Sequence, residues 1–243
     1  TVLNAAVAKQ LQDFKVEVDK LVKDKKMKKD DAIFNVLRDY IKKSKKIRFE
    51  GDGYGEAWEK EAKKRGLSNN KKTPEALKVK IADKTIKLFE DLGVMNRVEM
   101  EARHEIEVEE YAMHIQIEGR VLGDIARNHV IPTAIRYQNI LIKNVQGLKE
   151  IYGNDFKKHA GEQLSIIEEI SSHIEKINKG ITEMIDARRE ANKIEGAEEK
   201  AFAYCDKVRP YFDEIRYHCD KLEILVDDEL WPITKYRELL FTY

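Results

Sequence analysis

Glutamate and histidine side chains recur at helical spacing in several places along the sequence. The candidate pairs are Glu101/His104, Glu110/His114, Glu169/His173 and Glu214/His218. A di-iron bundle needs two Glu-x-x-His helices together with single glutamates from two further helices, and only one Glu-x-x-His is clear here. Because chance pairs are frequent in a chain so rich in Glu, we interpret them as ion pairs on helix faces and predict no metal-binding residue. His218 falls on a predicted apolar seam, which favours a partly buried structural histidine.

A glycine-rich stretch, residues 51–55, follows a short apolar run and is the best candidate for a phosphate-binding loop. It lacks both the Lys-Ser/Thr of a P-loop and the full dinucleotide fingerprint. Glu56 and Glu59, in the first turns of the next helix, would repel a phosphate that the helix dipole should attract. We therefore predict a glycine-permitted turn packed by Tyr54 and Trp58, and no cofactor-binding residue.

The two cysteines and the basic run 42–48 are the other candidates for chemistry. Neither Cys205 nor Cys219 has the flanking basic cluster and glycine turn that mark a nucleophile, so both are predicted to be small packing residues. On one helix they would lie about 21 Å apart, which is too far for a disulfide. The basic run has little aromatic interleaving and is interpreted as a solvated helix end. No catalytic residue is therefore predicted.

Composition limits the partners that can be expected. The 45 basic and 45 acidic residues cancel, so no global field gathers nucleic acid or anionic lipid, and neither is expected as a partner. No apolar run approaches the length of a membrane span, and the low number of cysteines suits a reducing cytoplasm. Scarce Gly and Pro with frequent Ala, Glu, Lys, Leu and Ile favour helices.

The stretch from Arg97 to Tyr152 organises the predicted fold, an all-α body around one long, kinked helix. Alternation at 106–108 and 115–117 is a competing strand pattern, but the uninterrupted length favours a helix. Pro132 predicts a kink or break near Val130. The large apolar residues share one wide side, which we expect several neighbours to cover. They are Val98, Ala102, Ile106, Met113, Ile117 and Val121, widened by Tyr111, Ile115, Leu122 and Ile125.

Two apolar seams follow, separated by the polar connection 189–199, and predict an antiparallel helical hairpin that packs on itself and on the central helix. Pro210 predicts a bend in the second arm, and Trp231-Pro232 its end. The tail 233–243 carries large apolar residues and is expected to dock on this body or on another subunit. The first seam is Ile167, Ile170, Ile174, Ile177, Ile181 and Met184. The second is Ala201, Tyr204, Val208, Tyr211, Ile215, His218, Leu222 and Leu225.

Several shorter helices are predicted before the central stretch. The first begins at Thr1 without a polar cap, so the chain is expected to be cut out of something longer. The expected landmarks are the cap Asp30 or Asp31 of the second helix, the helix ends Gly66 and Gly93, and the helix start Thr73-Pro74.

Four stretches carry unusual motifs in order along nearly the whole chain. They are TVLNAAVAKQL at 1–11, IRFEGDGYGEAWEKEAKKRGL at 47–67, EARHEIEVEEYAMHIQIE at 101–118 with VIPTAIRY at 130–137, and KLEILVDDELWPITKYRELLF at 221–241. Together they resemble the C-terminal region of type III glutamine synthetases. GDGYGEAW and ELWP-x-x-x-Y-x-x-LLF are the most specific of these motifs.

The resemblance implies that the complete enzyme is a cytoplasmic, ATP- and Mg²⁺-dependent ligase, which phosphorylates the γ-carboxylate of glutamate and lets ammonia displace the phosphate. In that family the metal-binding glutamates and phosphate-binding arginines precede the region that resembles this chain, so no catalytic, cofactor-binding or metal-binding residue is carried over. The resemblance further implies two parts. Residues 1–96 would be a helical segment continuing from an upstream catalytic domain, and residues 97–243 a long-helix bundle with a C-terminal docking tail.

The leading hypothesis is a non-catalytic, C-terminal helical part of a glutamine synthetase, an enzyme of nitrogen assimilation, with a structural or assembly role. Its partners would be the upstream catalytic domain and other subunits of a ring-shaped homo-oligomer, and ATP and Mg²⁺ would belong to the parent enzyme alone. The alternative is an independent helical protein, either a scaffold or a carboxylate-bridged metal-binding bundle.

Overall fold

The computed structural model describes residues 1–241 of the chain. Helices make up 82% of it, and no strand occurs within the described residues, so the all-α prediction is confirmed. The chain divides into two compact units, Thr1–Glu107 and Val108–Tyr243. The assignment of separate roles to 1–96 and 97–243 stays a prediction.

The first unit is built from short and medium helices. It contains α1 (Val2–Lys25), α2 (Lys29–Lys43), α3 (Glu56–Lys64), α4 (Thr73–Lys78), α5 (Asp83–Asp91) and the start of α6 (Arg97–Ile125), with 3₁₀ turns at Ser44–Ile47 and Val79–Ile81.

Apolar clusters hold this first unit together. Between α1 and α2, Val18, Ala32 and Val36 are buried, and the ring of Phe14 meets that of Tyr40 edge-on with centroids 5.9 Å apart. A further cluster joins α1 to α5 and to the start of α6. It comprises Ala5, Ile86, Phe89 and Met100.

Glycines end two of these helices, as predicted. Gly66 and Gly93 have φ angles of 68° and 65°. After each glycine, the next residue's N–H donates to the carbonyl five residues earlier at 3.0 Å, which is the Schellman pattern. Lys26, which follows α1, takes the same left-handed conformation with φ 51° although it has a side chain.

The predicted helix starts need correction by one to three residues. Helix α2 begins at Lys29, so Asp30 and Asp31 lie inside its first turn and neither is the cap. There the two carboxylates meet the positive end of the helix dipole, which also attracts acidic residues. Helix α4 begins at Thr73 itself, with Pro74 in its first turn, so Thr73 is not the cap.

The second unit consists of long helices and the turns that interrupt them. After the end of α6 these are a π turn (Ala126–Val130), α7 (Ile131–Tyr152), a 3₁₀ turn (Gly153–Asp155), α8 (Phe156–Asn192), α9 (Ala197–Ala203), a second π turn (Tyr204–Val208), α10 (Pro210–Leu225) and α11 (Tyr236–Leu239).

A π turn precedes each of the two prolines that were predicted to break a helix. The N–H of Ile131 donates to the carbonyl of Ala126, and the N–H of Arg209 to that of Tyr204 at 3.0 Å, both five residues back. A proline has no N–H and its ring presses on the carbonyl four residues earlier, so a widened turn relieves the clash. The regular α-helical hydrogen bonding is thus interrupted near Val130 and in the second hairpin arm, whereas the predicted kink and bend of the helix axes stay predictions.

Helices α8 and α10 form the predicted antiparallel hairpin, and α7 packs along α8. The hairpin core contains Ile170, Ile177, Ile181, Met184, Tyr204, Val208, Ile215 and Leu222. Four predicted seam positions are only half-buried, namely Ile167, Ile174, Tyr211 and Leu225, while His173 and Gly180, which lie outside the predicted seam, are buried. A Cβ on Gly180 would lie 3.0 Å from Cγ1 of Ile215, so the two helices approach closely at this point.

The second arm and the tail differ from their predicted ends. Helix α10 ends at Leu225, where Val226 turns to an extended conformation with ψ 143°, and not at Trp231. The tail does not dock on this body through its described apolar end, because Leu240 and Phe241 are 79% and 71% exposed. Docking on another subunit stays a prediction. Thr242 and Tyr243, which also belong to the predicted docking tail, lie outside the described residues.

Candidate interaction surface

Small residues form part of the buried side of helix α6. Ala112, Gly119 and Gly123 lie on its buried side. A Cβ at Gly119 would come within 3.2 Å of a ring carbon of Phe212 and 3.6 Å of the sulfur of Met184. The absence of side chains at these glycines therefore lets α6 lie close against α8 and α10.

Several large apolar residues of α6 are exposed to solvent, although Val108 and Ile115 are buried. Met113, Ile117 and Val121 are each about half exposed (50%, 52% and 50%); we call these three residues the α6 strip. Val98 and Ile106 are also exposed. The prediction that neighbours cover the whole of this side is wrong within residues 1–241, because Ile115 is the one buried member of the predicted set and Tyr111 and Leu122 are half-buried. Close packing of α6 near Gly119 relies instead on the absence of a side chain.

An apolar groove is open in the first unit as well. It lies between α1 and α2, has a volume of about 820 Å³ and is lined by the exposed side chains of Val16, Leu37, Ile41 and Ile47. Lys46, from the basic run, also lines it. The basic run, predicted to be a solvated helix end, thus borders an apolar surface.

The predicted Glu/His pairs do not converge on one centre. Glu101 is exposed and lies 3.5 Å from Arg97, whereas His104 is buried on the other side of the helix. Nearby, Glu110 and His114 form an exposed pair at 3.7 Å. Within residues 1–241 no group of three or more His, Cys, Asp or Glu side chains could hold a metal ion.

The remaining two pairs meet each other across the hairpin. Nδ1 of His173 lies 2.9 Å from Nδ1 of His218, and both rings are buried. Glu169 lies 3.6 Å from Nε2 of His173. Burial is the main cause that holds the pKa of His218 below its usual range, and the neighbouring His173 lowers it further. The apolar spacing predicts the seam position of His218 but not this contact, because residues on two different helices share no local spacing.

The glycine-rich stretch is a turn, but it is packed differently from the prediction. Trp58 stacks on Phe49 with ring centroids 4.6 Å apart, while Tyr54 is 99% exposed. Arg65 lies over the Trp58 ring and donates hydrogen bonds to the carbonyls of residues 46 and 48. The packing role predicted for Tyr54 is therefore wrong, and Phe49 fulfils it.

The cysteines lie in the hairpin as unpaired thiols. Cys205 is buried in the second π turn, and Cys219 is half-buried on α10. Burial raises the pKa of Cys219 to about 12, so its thiol stays protonated at neutral pH. A protonated thiol is a poor nucleophile, which agrees with a packing role.

Comparison with known proteins identifies relatives along the whole chain. The model of the glutamine synthetase C-terminal domain matches residues 32–149. A glutamine synthetase of Bacteroides fragilis is 45% identical over 241 residues, which cover 99% of this chain and 33% of the relative. A type-3 glutamine synthetase of Dictyostelium discoideum is 29% identical over 242 residues, 99% of this chain and 32% of the relative.

A third relative, a glutamine synthetase of Butyrivibrio fibrisolvens, is 26% identical over 212 residues, which cover 87% of this chain and 30% of the relative. The chain thus spans about a third of the length of the curated relatives it matches. Among the described residues, no helix is both long and apolar enough to cross a membrane. By these matches the chain belongs to the glutamine synthetase family and represents the C-terminal region of that family.

Proposed function

We propose that this chain is the non-catalytic, helical C-terminal part of a glutamine synthetase, and that its role is to support the catalytic part of the same enzyme. The α6 strip carries this proposal, because a helix in a well-packed unit leaves three large apolar residues in solvent. The strip lies within residues 32–149, which match the family's C-terminal domain. We assign the catalytic part as its occupant, since about two thirds of each relative's length lies outside the matched region.

The parent enzyme in this proposal is an ATP-dependent glutamate–ammonia ligase of the cytoplasm. ATP and Mg²⁺ bind to its catalytic part, and residues 1–96 connect that part to the bundle. Other subunits of a ring-shaped homo-oligomer are the further partners, and nucleic acid and membranes are not. The relatives, all named glutamine synthetases, support the ligase assignment.

Covering the α6 strip would bury enough apolar surface to change a docking equilibrium measurably. Fully burying a large apolar side chain contributes about 1.5–3 kcal/mol. Met113, Ile117 and Val121 are each half exposed, so complete cover would contribute about 2–4 kcal/mol in total. That free energy corresponds to at least a tenfold change in an association or docking equilibrium.

The test replaces Met113, Ile117 and Val121 together by Ser in the full-length parent enzyme. We expect loss of glutamine formation or of subunit assembly, measured by a coupled ATPase assay and by light scattering. The 243-residue chain with the same changes should keep its helical circular dichroism, because the three residues add little to its own core. The matched control replaces the exposed Ile135, Ile140 and Ile224 by Ser.

Three results would contradict the proposal. A strip variant that assembles and turns over like the wild type would show that nothing docks there. Equal damage from the control variant would show that the effect is not specific to the strip. Robust ATP-dependent glutamine formation by the 243-residue chain would show that its catalytic groups had been overlooked.

A further inference from the structure

Two buried histidines connect the arms of the hairpin. His173 on α8 and His218 on α10 are only 8% and 7% exposed. Their Nδ1 atoms lie 2.9 Å apart, and the ring centroids are separated by 5.1 Å at an interplanar angle of 44°. This contact is a hydrogen bond between two titratable side chains within an otherwise apolar seam.

The hydrogen bond between the two histidines persists after one proton is added to the pair but not after two. An Nδ1···Nδ1 hydrogen bond requires a proton on one Nδ1 and a lone pair on the other, so the two rings must adopt different tautomers. One added proton preserves this arrangement, because an imidazolium is a better donor to a neutral ring. A second added proton removes the acceptor and places two positive charges 2.9 Å apart.

The surroundings favour one charge on the pair but not two. The carboxylate of Glu169 lies 3.6 Å from Nε2 of His173 and can balance a single proton. Around His218, Lys176 opposes a positive charge and Glu214 favours one. The ring of Tyr217 contacts His218 edge-on. From α7, the neutral Gln138 bonds to the α8 backbone near this site and brings no charge.

We propose that the His173–His218 pair is a proton-sensitive clasp, which ties α10 to α8 while at least one imidazole is neutral and releases α10 when both are protonated. The inference does not depend on the parent enzyme's activity, since it concerns the hairpin alone.

The pH range of release follows from the groups involved. Burial and the neighbouring His173 lower the pKa of His218 in the folded chain, whereas in the unfolded chain it returns to about 6.5. The unfolded chain therefore binds more protons at low pH, and stability rises with pH in this range. The contribution of the clasp is fully present above about pH 6.5 and is lost as the pH falls towards the folded-state pKa.

The first experiment measures urea unfolding of the 243-residue chain between about pH 7.5 and pH 5, the range in which imidazoles titrate. The variant His218→Asn keeps a polar partner for Nδ1 of His173 but cannot be protonated. We expect acidification to raise the unfolding equilibrium constant of the wild type several-fold more than that of His218→Asn. The control His114→Asn removes an exposed histidine and should behave like the wild type. Equal pH dependence in the wild type and His218→Asn would overturn the proposal.

A second measurement covers the case in which His218→Asn fails to fold. The imidazole nitrogens of the wild-type chain can be titrated by ¹⁵N NMR. We expect His218 to remain neutral at pH values where a free imidazole is already protonated, and amide exchange in α10 to accelerate once His218 does titrate. Independent titration of the two rings at the pH of a free imidazole would overturn the clasp, as would unchanged protection of α10 after both rings have been protonated.

Discussion

At the scale of the residue, Lys26 occupies a backbone conformation that suits glycine. Its φ of 51° lies in the left-handed region, which costs a residue with a side chain about 1–2 kcal/mol. Glycine avoids that cost but loses about 0.5–1 kcal/mol of chain entropy on folding. We therefore expect Lys26→Gly to stabilise the chain by up to about 1 kcal/mol in urea denaturation. Lys25→Gly, inside the last turn of α1, should destabilise it, and the opposite order would contradict this account.

Gly180 offers a second test at this scale, because its effect opposes helix propensity. Alanine is normally favoured over glycine in a helix by about 1 kcal/mol. At position 180, however, the new Cβ would lie 3.0 Å from Cγ1 of Ile215, whose side chain is fully buried in the hairpin core. We expect Gly180→Ala to destabilise the chain by about 1–3 kcal/mol.

The matched control for this clash is on the same helix. Gly161 is exposed on α8, and a Cβ added there would meet no atom within 4 Å, so Gly161→Ala should stabilise by about 1 kcal/mol. Thermal unfolding of both variants separates the two effects. A stabilised Gly180→Ala variant would show that α8 and α10 are further apart than described.

At the scale of the element, the register of the hairpin can be tested with two isoleucines. Ile177 is fully buried between the helices, whereas Ile174, one turn earlier, is only half-buried. Truncation of a buried isoleucine costs about 2–5 kcal/mol, so Ile177→Ala should lower the free energy of unfolding by that amount. Ile174→Ala should lower it by clearly less, measured by urea titration. Equal losses would mean that the arms meet in the predicted seam and not in the observed one.

The hairpin also shows what could be read from the sequence and what could not. Apolar spacings of three and four residues, together with Pro132 and Pro210, predicted the long helices, the hairpin and both interruptions. Local periodicity cannot show which face a helix buries when small residues such as Gly119 form the contact, nor that His173 and His218 meet across 45 residues. Those features depend on tertiary packing. The residues of the α6 strip were therefore predicted to share one side of α6, but they were predicted to be covered by neighbouring helices and are exposed.

At the scale of the whole molecule, zero net charge combines with exposed apolar surface. The formal net charge at pH 7 is +0 and the pI is about 7.0, so little electrostatic repulsion keeps copies of the chain apart. We expect the 243-residue chain to associate most strongly near pH 7 and less at pH 8.5, measured by analytical ultracentrifugation. Serine at all three positions of the α6 strip should weaken this association. A strictly monomeric wild-type chain at pH 7 would show that its exposed apolar surface does not drive self-association.

The two π turns change the direction in which the side chains after them point from the helix axis. Each holds one residue more than the α-helical turn that it replaces, so the following side chains are rotated by about 100° around the helix axis. Ile215 and His218 thus reach α8 only because the π turn absorbs an extra residue within Tyr204–Val208. Deleting one residue from that segment would give an ordinary α-helical turn and keep the inward row of α10 against α8, whereas deleting one residue within α10 itself would rotate the side chains that follow away from α8. For this fold, a one-residue deletion should therefore be tolerated better within the π turns than within the α-helices that flank them.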